Sequence, residues 1–215
     1  MSNPTTPASI GPGEFFPVVG VGPHEKPWPE GAHYDPELLL NGDRRNVLDH
    51  YRYWTVEAIV ADLDSKRHKL QIAIENWQHD LNIGSIVRTA NAFNVSGVHI
   101  VGKRDWNKRG AMVTDRYLTV HHHPTVEDFA LWCKENELPI IGIDNVPGSK
   151  QLESAQLPEK CVLLFGQEGA GMSDEGIAVC EVLYEINQYG STRSMNASAA
   201  GAIAMYHWAL KHLPR

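Results

Sequence analysis

Apolar and polar residues change their rhythm near residue 70. Upstream there is little sustained periodicity, and downstream short apolar runs alternate with amphipathic stretches. The runs LQIAIEN (70–76), GVHIVG (97–102), PIIGID (139–144), CVLLFG (161–166) and VLYEIN (182–187) predict strands buried on both faces. Between them, IGSIVRTANAF (83–93), VEDFALWCKEN (126–136), DEGIAVCE (174–181) and the small-residue run after Ser194 predict helices. Strands alternating with helices predict an α/β fold, a mostly parallel sheet with helices on both faces. Ligands of such sheets collect beyond the carboxyl ends of the strands. Three loops stand there, after Asn76, after Phe165 and after Asn187.

The first 69 residues read differently. Prolines at positions 4, 7, 12, 17, 23, 27, 29 and 36 mark residues 1–36 as an extended or disordered arm. Residues 37–69 predict a helical extension, its helix beginning near Asp43 with Val47, Tyr51, Trp54, Ala58 and Ala61 roughly on one face. Residues 70–215 form the domain expected to carry the chemistry.

Composition sets bounds on this picture. A chain of 215 residues with 42% hydrophobic and 21% charged residues suits one globular domain with an appendage. No stretch approaches the ~18 consecutive apolar residues of a membrane span, and the first residues lack the pattern of a secretory signal. A cytoplasmic protein is expected. Cys133, Cys161 and Cys180 are odd in number and set in apolar contexts, so they read as buried thiols. The formal charge of −7 argues against gripping nucleic acid by bulk electrostatics, while leaving room for local basic patches.

The three loops hold the candidate chemistry. In ENWQHDLNIGSIVRTANAF, Asn82 stands where a helix cap belongs, and Arg88 flanks the apolar stripe of Ile83, Ile86, Val87, Ala90 and Phe93. A cap and a solvated arginine would explain both, and so would a guanidinium aimed at a phosphate or carboxylate. In LLFGQEGAGMSDEG, Gly166, Gly169 and Gly171 permit a tight turn around Glu168. The order of glycines fits neither a dinucleotide fingerprint nor a P-loop, and a carboxylate there suits a cationic or zwitterionic ligand better than a pyrophosphate. In GSTRSMNASAAGAIAMY, Ser191, Thr192, Ser194 and Asn196 can cap the helix behind them, where Ala197, Ala200, Gly201 and Ala204 allow close backbone approach.

Taken in order, NIGSIVRTA, LLFGQEGAGMS and INQYGSTRSMNASAAGAIAMY resemble the three signature motifs of the SpoU (TrmH) family of S-adenosylmethionine-dependent RNA ribose 2'-O-methyltransferases, within the SPOUT superfamily. The resemblance covers about residues 70–212 and implies a C-terminal trefoil knot binding S-adenosylmethionine, and a homodimer. By the same resemblance Asn82, Arg88, Glu168, Ser194 and Asn196 are the active-site residues, with Arg88 acting on the ribose hydroxyl. Ile143, Gly166, Ile186, Gln188 and Met195 fall where the cofactor is bordered. The family often has methionine where this chain has Gln188 and leucine where it has Met195.

An RNA substrate, tRNA or rRNA, follows from the resemblance. The loop GKRDWNKRG (102–110), with Lys103, Arg104, Trp106, Lys108 and Arg109, has a composition suited to phosphates and a stacked base, or to a solvated loop. Arg193 joins it as a further RNA contact. The run His121–His123 reads as strand surface, and no metal is expected. Two other readings remain open, a noncatalytic RNA-binding or assembly factor with the same knotted fold, and a methyltransferase of a small metabolite.

Overall fold

The computed structural model describes residues 19–78 and 82–214. The chain divides into two compact units, Met1–Thr55 and Val56–Arg215. The part of the proline-rich arm over residues 1–18 lies outside the described residues.

In the first unit, α1 (Pro36–Asn41) begins with proline at its first position, and Asp35 accepts from the backbone N–H of Glu37 at 2.9 Å. No helix starts near Asp43, contrary to the sequence reading. The Asp43 carboxylate is buried and accepts from Arg45 N, Nε and Nη2 and from Tyr53 N, at 2.7 to 3.0 Å. Burial alone would raise this carboxyl, but the Arg45 bonds and the Tyr53 amide bring it down to about 2. Tyr53 itself has φ +64, which no continuous helix tolerates. The apolar spacing that suggested a helix reflects a folded loop instead, in which Tyr51 and Trp54 meet edge to face at 5.4 Å.

The second unit opens with α2 (Val56–Asp64), which holds Ala58 and Ala61 and buries Ile59. There follow β1 (His68–Asn76), α3 (Asn82–Ala92), β2 (Val95–Gly102), two 3-10 turns (Lys108–Ala111 and Thr114–Tyr117) and β3 (Val120–His123). Next come α4 (Val126–Glu135), β4 (Ile140–Ile143), the short β5 (Lys150–Gln151), β6 (Cys161–Phe165), α5 (Asp174–Ala178), β7 (Val182–Glu185) and α6 (Ala197–His212). The boundary expected at residue 69 thus falls inside β1, and the compact units part between Thr55 and Val56.

Among the described residues, seven strands form one sheet in the order β3-β2-β1-β6-β4-β7-β5, and all six pairings are parallel. Side chains alternate between faces with the period of two that strand geometry imposes. Leu70, Ile72 and Ile74 of β1 join Cys161, Leu163 and Phe165 of β6 on the face covered by α3 and α6. On the other face, Ala73, Val162 and Leu164 meet Val126, Phe129 and Cys133 of α4. Both faces being covered, the strands read as unbroken apolar runs, which is why the sequence betrayed them.

One row of the register brings four strand ends together. Ile74 pairs with Phe165, Phe165 with Ile143, and Ile143 with Tyr184, so four adjacent strands reach the same level. The chain runs from β1 to β2 and β3 on one side, then crosses to β4 on the other and later fills the place between β1 and β4 with β6. A crevice at such a switch of direction is the expected binding place of an open parallel sheet.

At the β2–β3 edge the histidine run is less superficial than its sequence suggested. His123 is buried, and His99 lies stacked between His121 and His123, with ring centroids 4.8 and 5.1 Å away. His99 Nε2 donates to Gln71 Oε1 at 2.6 Å, which leaves Nδ1 of the neutral ring to accept from His123 Nε2 at 2.9 Å. Burial, followed by the neighbouring His121 and His123, pushes His99 down to about 2. His121 and His123 are lowered as well, chiefly by burial.

This cluster sets a pH dependence. The unfolded chain protonates these rings near the ordinary ~6.5 and the folded chain resists doing so, so stability is complete above that pH and falls below it. For His99 the slope approaches about 1.4 kcal/mol per pH unit. The urea midpoint is expected to be flat from about pH 8 to 7 and to fall steadily from about pH 6.5 to 5. A midpoint indifferent to pH over that lower range would contradict neutral burial of His99.

Candidate active site

Just beyond the aligned row, the Gly-rich loop after β6 is held in place from three sides. Gln167 and Gly171 exchange backbone hydrogen bonds at 3.0 Å, closing a narrow turn in which Gly171 has φ +73. A side chain at Gly166 would run into the backbone of Gly171 and Met172, so only glycine fits there. Gln167 Oε1 accepts from Trp77 N at 3.0 Å, and Asp144 Oδ2 accepts from Met172 N at 2.7 Å. The buried Glu75 carboxylate receives Ser173 N at 2.8 Å together with the Ser173 hydroxyl. Ser173 in turn caps α5 through Gly176 N at 3.0 Å.

The third loop is tethered from β4. Asn145 Nδ2 donates to the Arg193 carbonyl at 2.6 Å, and Gln188 Nε2 reaches the same oxygen at 3.4 Å. Asp144 and Asn145 therefore serve both walls, one residue holding the Gly-rich loop and the next holding the loop that leads to α6. Sequence reasoning missed both, together with Glu75, Gln167 and Trp77. A carboxylate and an amide directly at the end of an apolar strand were the available signal.

These anchors bring together three of the five expected active-site residues. Asn82, at the start of α3, donates its amide to Glu168. Asn196 Nδ2 donates to Asn82 Oδ1 at 2.8 Å and to Glu168 Oε2 at 3.2 Å. The other end of the Asn196 side chain caps α6, its Oδ1 accepting from Ser198 N at 3.0 Å and Ala199 N at 3.4 Å. With both ends engaged, Asn196 ties loops rather than presenting a free reactive group.

Ser194 lines the adjoining cleft, and its hydroxyl has no protein partner among the described residues. Arg88 stands apart. It is exposed on α3, six residues past Asn82 and therefore about 9 Å further along the helix, and it makes no ion pair with the described residues. Glu168 receives the two asparagine amides.

The cleft measures about 320 Å³. All five residues expected beside a cofactor line it, namely Ile143, Gly166, Ile186, Gln188 and Met195. Phe165 adds to the apolar wall, and Asp144 and Glu168 place carboxylates at it. Such a mixture suits a ligand with an apolar ring and a cationic end.

The basic loop after β2 sits against the same corner. Asn76 Nδ2 donates to the carbonyls of Lys103 and Asp105 at 2.7 and 2.9 Å. A side chain at Gly84 would meet Asn107 O and Ala111 N at 2.8 Å, so the loop packs directly on the first turn of α3. Lys103, Arg104 and Arg109 are exposed there. Trp106 is half-buried against the core with Lys108 Nζ 5.4 Å from its ring centroid, and Lys108 pairs with Asp115 at 3.0 Å. Trp106 therefore offers a base less surface than its sequence context suggested. Among the described residues no group of three or more His, Cys, Asp or Glu is arranged to hold a metal ion.

The sequence profile of the SpoU rRNA Methylase family matches residues 69–206. The tRNA (guanosine(18)-2'-O)-methyltransferase of Borreliella burgdorferi is 25% identical over 147 residues, 67% of this chain and 67% of that protein. An uncharacterized tRNA/rRNA methyltransferase of Synechocystis sp. is 29% identical over 163 residues, which cover 73% of this chain and 42% of the relative. Among solved structures, the SpoU methyltransferase AviRb of Streptomyces viridochromogenes in complex with AdoMet shares the fold with a TM-score of 0.62 at 22% identity, over 70% of this chain and 63% of that one. The matched stretch thus spans about two thirds of these proteins or less.

Replacing Asn196 separates its two tasks. Asn196→Ala removes the cap and is expected to lower stability by about 1 kcal/mol. Asn196→Asp keeps a capping oxygen but sets a second carboxylate against Glu168. Its melting temperature is expected to lie below wild type at low salt, with the gap narrowing as salt screens the two charges. A gap independent of salt would show that the contact with Glu168 contributes nothing.

Proposed function

We infer the activity from membership: this chain belongs to the SpoU rRNA Methylase family, and we propose that it transfers a methyl group from S-adenosylmethionine to a ribose 2'-hydroxyl of structured RNA. The observation that carries this reading is the meeting of Asn82, Glu168 and Asn196 at the rim of a cleft lined by all five expected cofactor neighbours. The residues fit the cofactor. Ile143, Phe165, Ile186 and Met195 offer an apolar wall to the adenine, Gly166 keeps the loop backbone close, and the carboxylates suit the cationic end. Gln188 Oε1, buried and without a hydrogen-bond partner among the described residues, adds an acceptor to that wall.

When bound, S-adenosylmethionine supplies an electrophilic methyl group on a sulfonium. The protein's part is to align the ribose oxygen behind that methyl and to favour loss of its proton. Ser194, with its free hydroxyl at the cleft, orients the ribose. A guanidinium is a poor proton acceptor, so Arg88 acts as an electrostatic clamp on the ribose oxygen and its neighbouring phosphate. Glu168 and Asn196 join the loop that carries Ser194 to the first turn of α3, the helix that carries Arg88.

RNA approaches over the loop of Lys103, Arg104 and Arg109, which packs on the turn bearing Asn82, with Arg193 on the loop before α6. A chain of net charge −7 meets a polyanion through such a local patch. We further propose a trefoil knot around the cleft, a cytoplasmic setting and a homodimer. For the dimer, α6 presents Ile203, Tyr206 and Leu210 on one exposed face while Ala204, Met205 and Trp208 are buried.

The test is incubation with labelled S-adenosylmethionine and bulk tRNA or rRNA, followed by mapping of positions newly resistant to alkaline cleavage. Label is expected in ribose. Arg88→Ala is expected to lose at least a hundredfold in turnover with cofactor affinity within twofold, and Arg88→Lys to retain part of it. Label in bases, or none despite tight cofactor binding, would overturn the assignment, and near-normal turnover by Arg88→Lys would remove the bidentate role.

A further inference from the structure

Tyr189 is 90% exposed, more than any other large hydrophobic side chain among the described residues. Its ring touches no other aromatic or cationic side chain of the described chain. So exposed a ring leaves its whole face open to something that stacks on it.

The setting of this ring limits what that something is. Gln188, immediately before it, lines the cleft, and Ser194, five residues on, lines it too. The Gln188 side chain and Asn145 both hold the Arg193 carbonyl, at 3.4 and 2.6 Å, so residues 189–192 form a short loop closed at its base. A side chain added at Gly190 would meet nothing within 4 Å, so this loop projects into open space. From Gln188 to Asn196 the sequence QYGSTRSMN holds one cation, the exposed Arg193, and no carboxylate. An exposed ring and an unopposed guanidinium on one short loop, with hydroxyl-bearing residues between them, match the chemistry of an unstacked nucleotide, whose base stacks and whose phosphate is drawn to the cation.

We propose that Tyr189 is a stacking platform for a nucleobase of the RNA substrate, next to the ribose that enters the cleft. This rests on the reading of the chain as an RNA methyltransferase and adds to it a determinant of RNA binding. Stacking on the ring keeps the neighbouring nucleotide splayed, which leaves the target 2'-hydroxyl accessible at the cleft mouth. A neutral ring contributes through its face, so its share of affinity does not depend on salt in the way phosphate contacts do.

The test uses the full chain and bulk tRNA as probe, with Tyr189→Ala, Tyr189→Phe and Tyr189→Trp. Tyr189→Ala is expected to raise the Kd for tRNA roughly 5- to 100-fold, with an unchanged slope of log K against log salt and an S-adenosylmethionine affinity equal to wild type. Tyr189→Phe and Tyr189→Trp are expected to stay within about twofold of wild type, and the introduced Trp fluorescence to change on adding tRNA. Wild-type affinity in Tyr189→Ala overturns the proposal alone. So does a lowered sedimentation coefficient at unchanged tRNA affinity, which would mark Tyr189 as a subunit contact. Failure of the wild type to bind any RNA would instead bring down the functional reading together with it.

Discussion

Four parallel strands reaching the same level is the constraint on which the site depends. Ile74, Phe165, Ile143 and Tyr184 stand side by side, so the loops that leave β1, β6, β4 and β7 start from one edge. Glu75 and Asp144, the residues next along β1 and β4, are thereby within reach of the Gly-rich loop, and each takes one of its backbone N–H groups. The amides of Asn82 and Asn196 then close on Glu168. Hydrogen bonds to an exposed carboxylate are individually modest. They set geometry here because the Gly-rich loop is already restrained beneath them by the buried Glu75 and Gln167, and the loop before α6 by Asn145.

Charge is distributed by the same logic. The chain as a whole is acidic, yet apart from Arg88 of α3 the cations that remain exposed near the site belong to two loops that the fold ties down, one through Asn76 and Gly84 and the other through Asn145. Lys108 is withdrawn from this set by Asp115 and Trp106. What faces a polyanion is therefore a small number of positioned charges, not a diffuse basic field. Recognition in that arrangement depends on shape and stacking as much as on attraction.

Most of the large unit was legible in the sequence because its strands are buried on both faces and announce themselves as apolar runs bounded by loops. LQIAIEN, CVLLFG and the stretch around Ile83 could be read without any partner in view. The motifs that resemble the SpoU family named Asn82, Glu168 and Asn196, and the structure brings those three together. What the sequence concealed were contacts between distant segments. Asp144 and Asn145 looked like the tail of a strand, and Glu75 like a polar residue in an apolar run, because a tether shows only when its partner 28 to 98 residues away is known. The helix expected from Asp43 failed for the same reason. Its apolar spacing was real, but a buried carboxylate with partners at Arg45 and Tyr53 imposed a different path. The histidines of β3 likewise looked superficial until β2 supplied His99 to stack against them.

The bonds that assemble the site join residues 86 and 114 positions apart. Closing such distant contacts is slow compared with forming local turns, because chain entropy is lost before the contact rewards it. A chain emerging from the ribosome has its β1 and α3 long before Asn196 exists to meet them. The cleft is therefore completed late, and no intermediate of synthesis that stops short of Asn196 holds the assembled site.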